Sequence, residues 1–94
     1  MKVLTEEELT AALADEPLWR LDAGTLVGNW KFADFPAAMQ FVQAVAEIAE
    51  RHNHHPDIDI RYNRVRLALS THDAGGITQL DLAMAQAISG LSTT

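Results

Sequence analysis

The sequence predicts an α+β fold in which a four-stranded antiparallel sheet carries helices packed on one face, in the order α-β-β-α-β-β-α. Two observations predict it. Apolar and polar residues alternate in four short runs, which come in two pairs, each pair joined by a tight turn. Three other segments repeat apolar residues at helical spacing, and each such amphipathic helix needs an apolar surface to cover.

The first part of the chain predicts a short helix followed by a β-hairpin. Thr5, with Glu8 three residues later, fits a capping box that opens the helix. Residues 18–21 and 25–32 then alternate in the manner of two strands, and the connection between them contains glycine.

A long central helix is predicted to follow the hairpin. Asp34 is an acceptor cap and Pro36 stands in the first turn, where proline is tolerated. Because Pro56 restricts the backbone of the residue before it, this helix must stop near residues 51–54.

The last part of the chain predicts a second hairpin and a third helix. Asn63-Arg64 is interpreted as the two-residue loop of this hairpin. Thr78 with Asp81 resembles another capping box, and Gly90 lies near the stop of the final helix. One set of alternating residues is expected to face the helices, namely Ile58, Ile60, Tyr62, Val65, Leu67 and Leu69.

Length and composition predict a single domain over residues 1–94 and exclude several kinds of protein. Seven Lys and Arg against thirteen Asp and Glu give a net charge of −6, which argues against a nucleic-acid partner. Cysteine is absent, so disulfides and thiolate chemistry are excluded. The first residues lack the pattern of a signal peptide, and residues 35–50 are too polar to span a membrane. We therefore expect a cytoplasmic protein with no membrane partner.

Histidines are concentrated at the junction between the long helix and the third strand. His52, His54 and His55 lie there, whereas His72 is remote in sequence. If Tyr62 pairs with Val65 across the two-residue loop, the register of the hairpin places residue 55 opposite residue 72. The histidines are therefore expected to converge at the open end of the hairpin, with His55 and His72 on the polar face of the sheet.

Neighbouring imidazoles are suited to acid–base chemistry, because they titrate near neutral pH and can divide donor and acceptor roles. Such a pair can remove a proton at one atom while protonating a departing hydroxyl at another. Two other interpretations stay open at this point: polar residues on an exposed junction, and a metal site. No cysteine or clear carboxylate spacing supports the metal. Glu50 lies four residues before His54; it either orients the His54 ring or is simply a solvated residue of the helix. Asp81 most simply completes a helix cap.

The spacing of these residues resembles the signature of the pterin-4a-carbinolamine dehydratases. The matching pattern runs Glu50, three residues, His54-His55-Pro56, five residues, Tyr62, nine residues, His72, eight residues, Asp81. The similarity extends to Leu18-Trp19, to residues 30–35 and to residues 69–73, and so covers most of the chain. Two departures are mild: Asn53 stands where many relatives have Asp, and Asp73 where many have Glu.

The resemblance implies dehydration of 4a-hydroxytetrahydropterin to quinonoid dihydropterin, without metal or organic cofactor. Carried over by position, His54 and His72 are the acid–base residues and His55 binds and orients the pterin; which ring protonates the hydroxyl stays open. The expected pocket consists of Asn53, His54, His55, Ser70, Thr71, His72 and Asp73, and the expected supporting residues are Glu50, Pro56, Tyr62 and Asp81.

The family resemblance also implies a homodimer or homotetramer that recycles an oxidised tetrahydropterin. Two alternatives of other classes remain at this stage. One is a non-catalytic dimerisation or interaction module that keeps the fold, and the other is an accessory role in molybdopterin metabolism.

Overall fold

The helices and strands follow one another in the predicted order in the computed structural model, which describes residues 1–91. In chain order they are α1 (Glu6–Leu13), β1 (Trp19–Asp22), β2 (Thr25–Lys31), α2 (Phe35–His52), β3 (Asp57–Arg61), β4 (Arg64–Leu69), a one-turn 3₁₀ helix (His72–Ala74) and α3 (Gln79–Leu91). The predicted α+β fold is confirmed. Residues 92–94 of the predicted domain lie outside the described residues.

The sheet is antiparallel, and its strands lie in the order β1-β2-β4-β3, which makes β3 an edge strand. One face is apolar and joins the helices in a single hydrophobic core. Burial of this face against α2 and α3 is the main source of stability. The strand residues of the core are Trp19, Leu26, Trp30, Val65, Leu67 and Leu69, and the helix residues packed with them include Phe41, Val45, Ile48, Met84 and Ile88.

The helix caps read from the sequence are present. The Thr5 and Glu8 side chains each accept from the other residue's backbone N–H, at 3.1 and 2.9 Å. The hydrogen bond from the Thr5 backbone, followed by the contact with Lys2, lowers the pKa of the Glu8 carboxyl. This cap therefore contributes stability above the ordinary pKa of glutamate and loses it as the pH falls through the lowered value. At α2, the Asp34 side chain accepts from the Ala37 N–H at 2.9 Å.

Replacing Asp34 by alanine is expected to lower the free energy of unfolding by about 1 kcal/mol, because one N-terminal N–H of α2 loses its acceptor. Urea denaturation followed by circular dichroism measures this loss. Asp34→Asn is the matched control, since asparagine caps a helix about as well as aspartate. An equal loss in both variants would show that the charge, rather than the cap, carries the stability.

The second hairpin differs from its predicted register. Arg61 pairs with Arg64, so the two-residue loop is Tyr62-Asn63 rather than Asn63-Arg64. Tyr62 adopts a left-handed φ of 52°, and the Asn63 side chain donates to the Phe32 carbonyl oxygen at 2.8 Å. The Phe32 N–H also donates to the Asn63 carbonyl oxygen at 2.8 Å, which ties this loop to the end of β2.

The register error amounts to two residues, so the alternation between the two faces of the hairpin is preserved. Val65, Leu67 and Leu69 face the core as predicted. Tyr62 does not: it lies in the turn with 67 % of its surface exposed. Ile58 is also partly exposed, because β3 lies at the edge of the sheet.

The third helix is described through Leu91, one residue beyond Gly90, which therefore lies near its end as predicted. Across residues 1–91, the helices fall short of the length and apolar character that crossing a membrane requires.

Candidate active site

The histidines lie at the open end of the second hairpin, beyond the ends of its strands. Asn53 closes α2 in a left-handed conformation, with a φ of 50°, and turns the chain away from the helix axis. After β4, Thr71 forms an isolated bridge with Gly76, and His72 begins the 3₁₀ helix between them. The prediction that His55 and His72 lie on the polar sheet face is therefore wrong, since neither residue belongs to a strand.

A cavity of about 370 Å³ lies between these two segments. The chain brings together around it all the residues of the expected pocket, and Leu80 as well. The lining consists of Asn53, His54, His55, Ser70, Thr71, His72, Asp73 and Leu80. Its volume falls within the range of small-molecule sites.

His54 is held by a carboxylate from the first turn of α3. Its Nε2 lies 2.5 Å from Asp81 Oδ1. The Asp81 residue is fully buried, and the His54 side chain is 12 % exposed. A contact this short between a histidine and a buried carboxylate fixes the plane of the imidazole ring.

Asp81 receives further hydrogen bonds from two buried threonines. Its Oδ2 accepts from the Thr71 hydroxyl at 2.8 Å and from the Thr78 backbone N–H at 2.9 Å. The two threonine hydroxyls are 2.8 Å apart, and the Thr78 hydroxyl also accepts from the Leu80 N–H at 3.2 Å. Since the Thr71 proton is committed to Asp81, Thr78 is the donor in the threonine pair. Every hydroxyl hydrogen in this network thus has an acceptor.

This network selects one tautomer of His54. The Asp81 carboxylate only accepts hydrogen bonds when ionised, so the facing Nε2 must carry the proton. The Nδ1 atom then holds the free lone pair. The arrangement leaves His54 with a fixed ring and one nitrogen able to accept a proton.

Glu50 orients a different histidine from the one that the sequence suggested. Its Oε2 lies 2.5 Å from Nε2 of His55, whereas its predicted partner was His54. Helical i, i+4 spacing applies only within a helix, and α2 has already ended at His52. Both groups are exposed, with 56 % of the His55 side chain and 77 % of the Glu50 side chain accessible.

His72 is exposed, and within residues 1–91 its ring has no hydrogen-bonded partner. It is presented by the 3₁₀ helix, which Gly75 closes in a left-handed conformation with a φ of 80°. The ring is therefore available to a ligand without first breaking a contact.

The other signature residues lie in different places. Pro56 separates His55 from the start of β3. Tyr62 lies at the far end of the hairpin, where its ring stacks on that of Phe35 with centroids 6.5 Å apart, and it does not line the cavity. Reasoning from the sequence missed Thr78, whose pairing with Asp81 was interpreted only as a helix cap. That spacing was the available signal, since the same carboxylate serves both as the cap and as the partner of His54.

Among the described residues 1–91, no group of three or more histidine and carboxylate side chains is arranged to hold a metal ion. The two carboxylates nearest the rings are each paired with a separate histidine. The cavity is therefore lined by three imidazoles, of which those of His54 and His55 are each oriented by a separate carboxylate.

Comparisons with known proteins place this geometry in context. The sequence profile of the family described as "Pterin 4 alpha carbinolamine dehydratase" matches residues 2–91. A relative from Chloroflexus aurantiacus is 56 % identical over 88 residues, covering 94 % of this chain and 95 % of the relative. A relative from Acidobacterium capsulatum is 53 % identical over 91 residues, covering 97 % of this chain and 99 % of the relative. Both carry, provisionally, the name pterin-4-alpha-carbinolamine dehydratase.

Two solved structures share the fold. A transcriptional coactivator/pterin dehydratase from Brucella melitensis superposes with a TM-score of 0.90 at 36 % identity, covering 96 % of this chain and 98 % of that one. A pterin dehydratase-like protein, identified as a RuBisCO assembly factor in the alpha-carboxysome, gives a TM-score of 0.65 at 19 % identity. This match covers 81 % of this chain and 88 % of the assembly factor. The similarity to this second structure is one of fold alone.

Proposed function

The chain belongs to the pterin-4-alpha-carbinolamine dehydratase family, and on this premise we propose that it dehydrates 4a-hydroxytetrahydropterin at the cavity between α2 and the 3₁₀ helix. The C4a–O bond breaks and the hydroxyl leaves as water after receiving a proton. N5 loses its proton, and its electron pair forms the N5=C4a double bond of quinonoid dihydropterin. No electrons are exchanged with another molecule, so proton transfer is the chemistry that the protein must supply.

His54 is the proton acceptor in this proposal. Its Nε2–H is committed to Asp81, so Nδ1 is free to take the N5 proton. When the ring becomes an imidazolium, the buried carboxylate of Asp81 stabilises the new positive charge and keeps the ring in place. Asp81 acts through His54 and is therefore a positioning residue.

His72 supplies the proton to the departing hydroxyl, since it faces the same cavity from the other segment and its ring is unengaged within residues 1–91. His55, tethered by Glu50, binds and orients the pterin. The observation that carries the proposal is the single cavity that His54, His55 and His72 line together, with one ring fixed by a buried carboxylate.

The direct test is to add the purified protein to freshly generated 4a-hydroxytetrahydropterin and to follow quinonoid dihydropterin by its absorbance. The proposal predicts a rate that rises linearly with protein concentration. A rate equal to that in buffer would contradict it and would favour a non-catalytic interaction module. The His54/His72 double alanine variant is the control for contaminating activity, and it is expected to match the buffer rate.

The proposal includes self-association through the edge of the sheet. The second edge of β3 has no strand partner among residues 1–91, and exposed apolar side chains lie along β3 and its turn. Ile58 is 39 % exposed, and the stacked rings of Phe35 and Tyr62 are 44 % and 67 % exposed. An open strand edge with apolar side chains is a template for pairing with another chain.

We expect the wild-type protein to be a dimer or tetramer in size-exclusion chromatography with light scattering. Ile58→Asp is expected to shift it towards the monomer, because a buried unpaired charge opposes pairing at this edge. Asp59→Asn, one residue along the same strand but on the opposite face, is the control and should leave the mass unchanged. A monomeric wild type would contradict the oligomer proposal without touching the chemistry.

A further inference from the structure

Five of the seven lysines and arginines of the chain line one open cavity of about 610 Å³ on the sheet. Three of them form a single rung across three strands, because Arg64 of β4 pairs with Lys31 of β2 on one side and with Arg61 of β3 on the other. Strand alternation places them on the polar face, away from the helices. We call this group the cationic face, and it consists of Arg20, Lys31, Arg61, Arg64 and Arg66.

The distribution of charge is uneven for so acidic a chain. On the polar sheet face these five cations meet three carboxylates, Asp22, Asp57 and Asp59. The remainder of the chain carries two cations against ten carboxylates. The cationic face is therefore positive on a protein whose net charge is −6.

Local ion pairs neutralise this face only in part. Arg61 Nε lies 3.2 Å from Asp59 Oδ1, and Arg66 Nη2 lies 3.4 Å from Asp22 Oδ2. Within residues 1–91, Arg20, Lys31 and Arg64 form no ion pair. Like charges directly opposite one another destabilise a sheet, so the Lys31–Arg64–Arg61 rung opposes folding in the free protein.

We infer that the cationic face docks an extended acidic segment of a partner protein. Arg64 and Arg66 are alternate residues of β4, and alternate residues of a strand recur every ~6.6 Å. An extended peptide with carboxylates at alternate positions presents its charges at the same interval. Guanidinium–carboxylate hydrogen bonds are among the strong charge-assisted ones, so the match supplies both attraction and register.

Other occupants fit this face less well. A single-stranded nucleic acid needs aromatic side chains on which its bases stack, and no strand residue of the polar face is aromatic. A second copy of this chain cannot dock through the same face, because the two sets of cations would repel each other. It would have to offer an acidic surface elsewhere, in a head-to-tail contact that builds a ring or an open filament.

The surface is separate from the histidine cavity. The Lys31–Arg64–Arg61 rung adjoins the Tyr62-Asn63 turn, whereas His54 and His72 lie past the other end of the same hairpin. Four residues of strand, about 13 Å, separate this rung from the Asp57–Ala68 rung near the site. Docking at this face therefore leaves the cavity open.

The test measures binding of fluorescent probes by anisotropy, at low and at physiological ionic strength. The probes are a peptide of alternating glutamate and serine and an oligothymidylate of equal charge. We expect the wild-type protein to bind the peptide more tightly than the oligonucleotide, with affinity that falls as salt screens the charges. Arg64→Glu should weaken peptide binding by roughly tenfold, because reversal replaces an attraction with a repulsion.

Arg51→Glu makes the same charge change at an exposed position on α2 and is the matched control, with affinity expected within about twofold of wild type. Arg64→Glu should also fold with a Tm at or above that of the wild type, since it removes like-charge contacts from the rung. The inference would be overturned if both variants lost affinity for the peptide equally, or if the wild-type protein bound no peptide. Tighter binding of the oligonucleotide, or assembly into filaments, would also overturn it.

Discussion

Replacing His54 or His72 by alanine is expected to lower kcat by about 10²-fold or more, because each variant removes one of the two groups that move protons. The His54→Ala variant loses the proton acceptor that the Asp81 network holds in place. The His72→Ala variant loses the unengaged imidazole on the opposite wall of the cavity. Initial rates over a range of pterin concentrations separate kcat from KM. His55→Ala is the comparison: as a binding residue it should raise KM by roughly fivefold and change kcat less.

Stability provides the control for these variants. His72 is exposed, so its replacement should leave thermal unfolding near that of the wild type. His54→Ala leaves the buried Asp81 carboxylate with one fewer partner and is expected to unfold more easily. Wild-type kcat in both single variants would remove the proposed acid–base pair from the mechanism, whatever their stability.

Asp81→Asn is the second substitution with a large expected effect. The amide keeps the size of the carboxyl group but offers one acceptor atom instead of two, so it cannot serve both Thr71 and the Nε2–H of His54. If the amide donates to Nε2, the proton of His54 moves to Nδ1 and the ring loses its free acceptor. We expect kcat to fall by about 10²-fold and the free energy of unfolding to fall by about 1–3 kcal/mol.

The tautomer of His54 shows whether Asp81→Asn lowers kcat because His54 is no longer positioned or because the protein unfolds. In the wild type, ¹⁵N NMR should show the proton of His54 on Nε2, and in Asp81→Asn it should show the proton on Nδ1. Glu50→Gln makes the same chemical change at the exposed pair with His55 and should leave kcat near that of the wild type. An unchanged tautomer, or an equal loss of kcat in Glu50→Gln, would contradict the role assigned to Asp81.

The fold could be predicted from local signals because most of its determinants are local. The capping residues Thr5 and Asp34 mark helix starts by chemistry that involves only the next turn. The loop of the second hairpin could not be predicted from local signals, since its position depends on a long-range contact. Asn63 bonds to Phe32, which is remote in sequence, and that contact moves the turn by one residue.

The neighbourhood of the site was predictable, whereas the contacts within it were not. A shift of two residues in hairpin register still returns His72 to the side of His54, because the turn itself moves by only one residue. The partner of each ring depends on where the helices end and pack. Asp81 reaches His54 from α3, and no spacing within one helix could indicate that pairing.

A crystal structure of this protein with a bound dihydropterin would show whether the three histidines share one ligand. We expect the bicyclic ring to occupy the cavity, with N5 within about 2.6–3.2 Å of Nδ1 of His54 and with C4a facing His72. A pterin seated elsewhere on the protein, or one held by His54 and His55 with His72 out of reach, would contradict it.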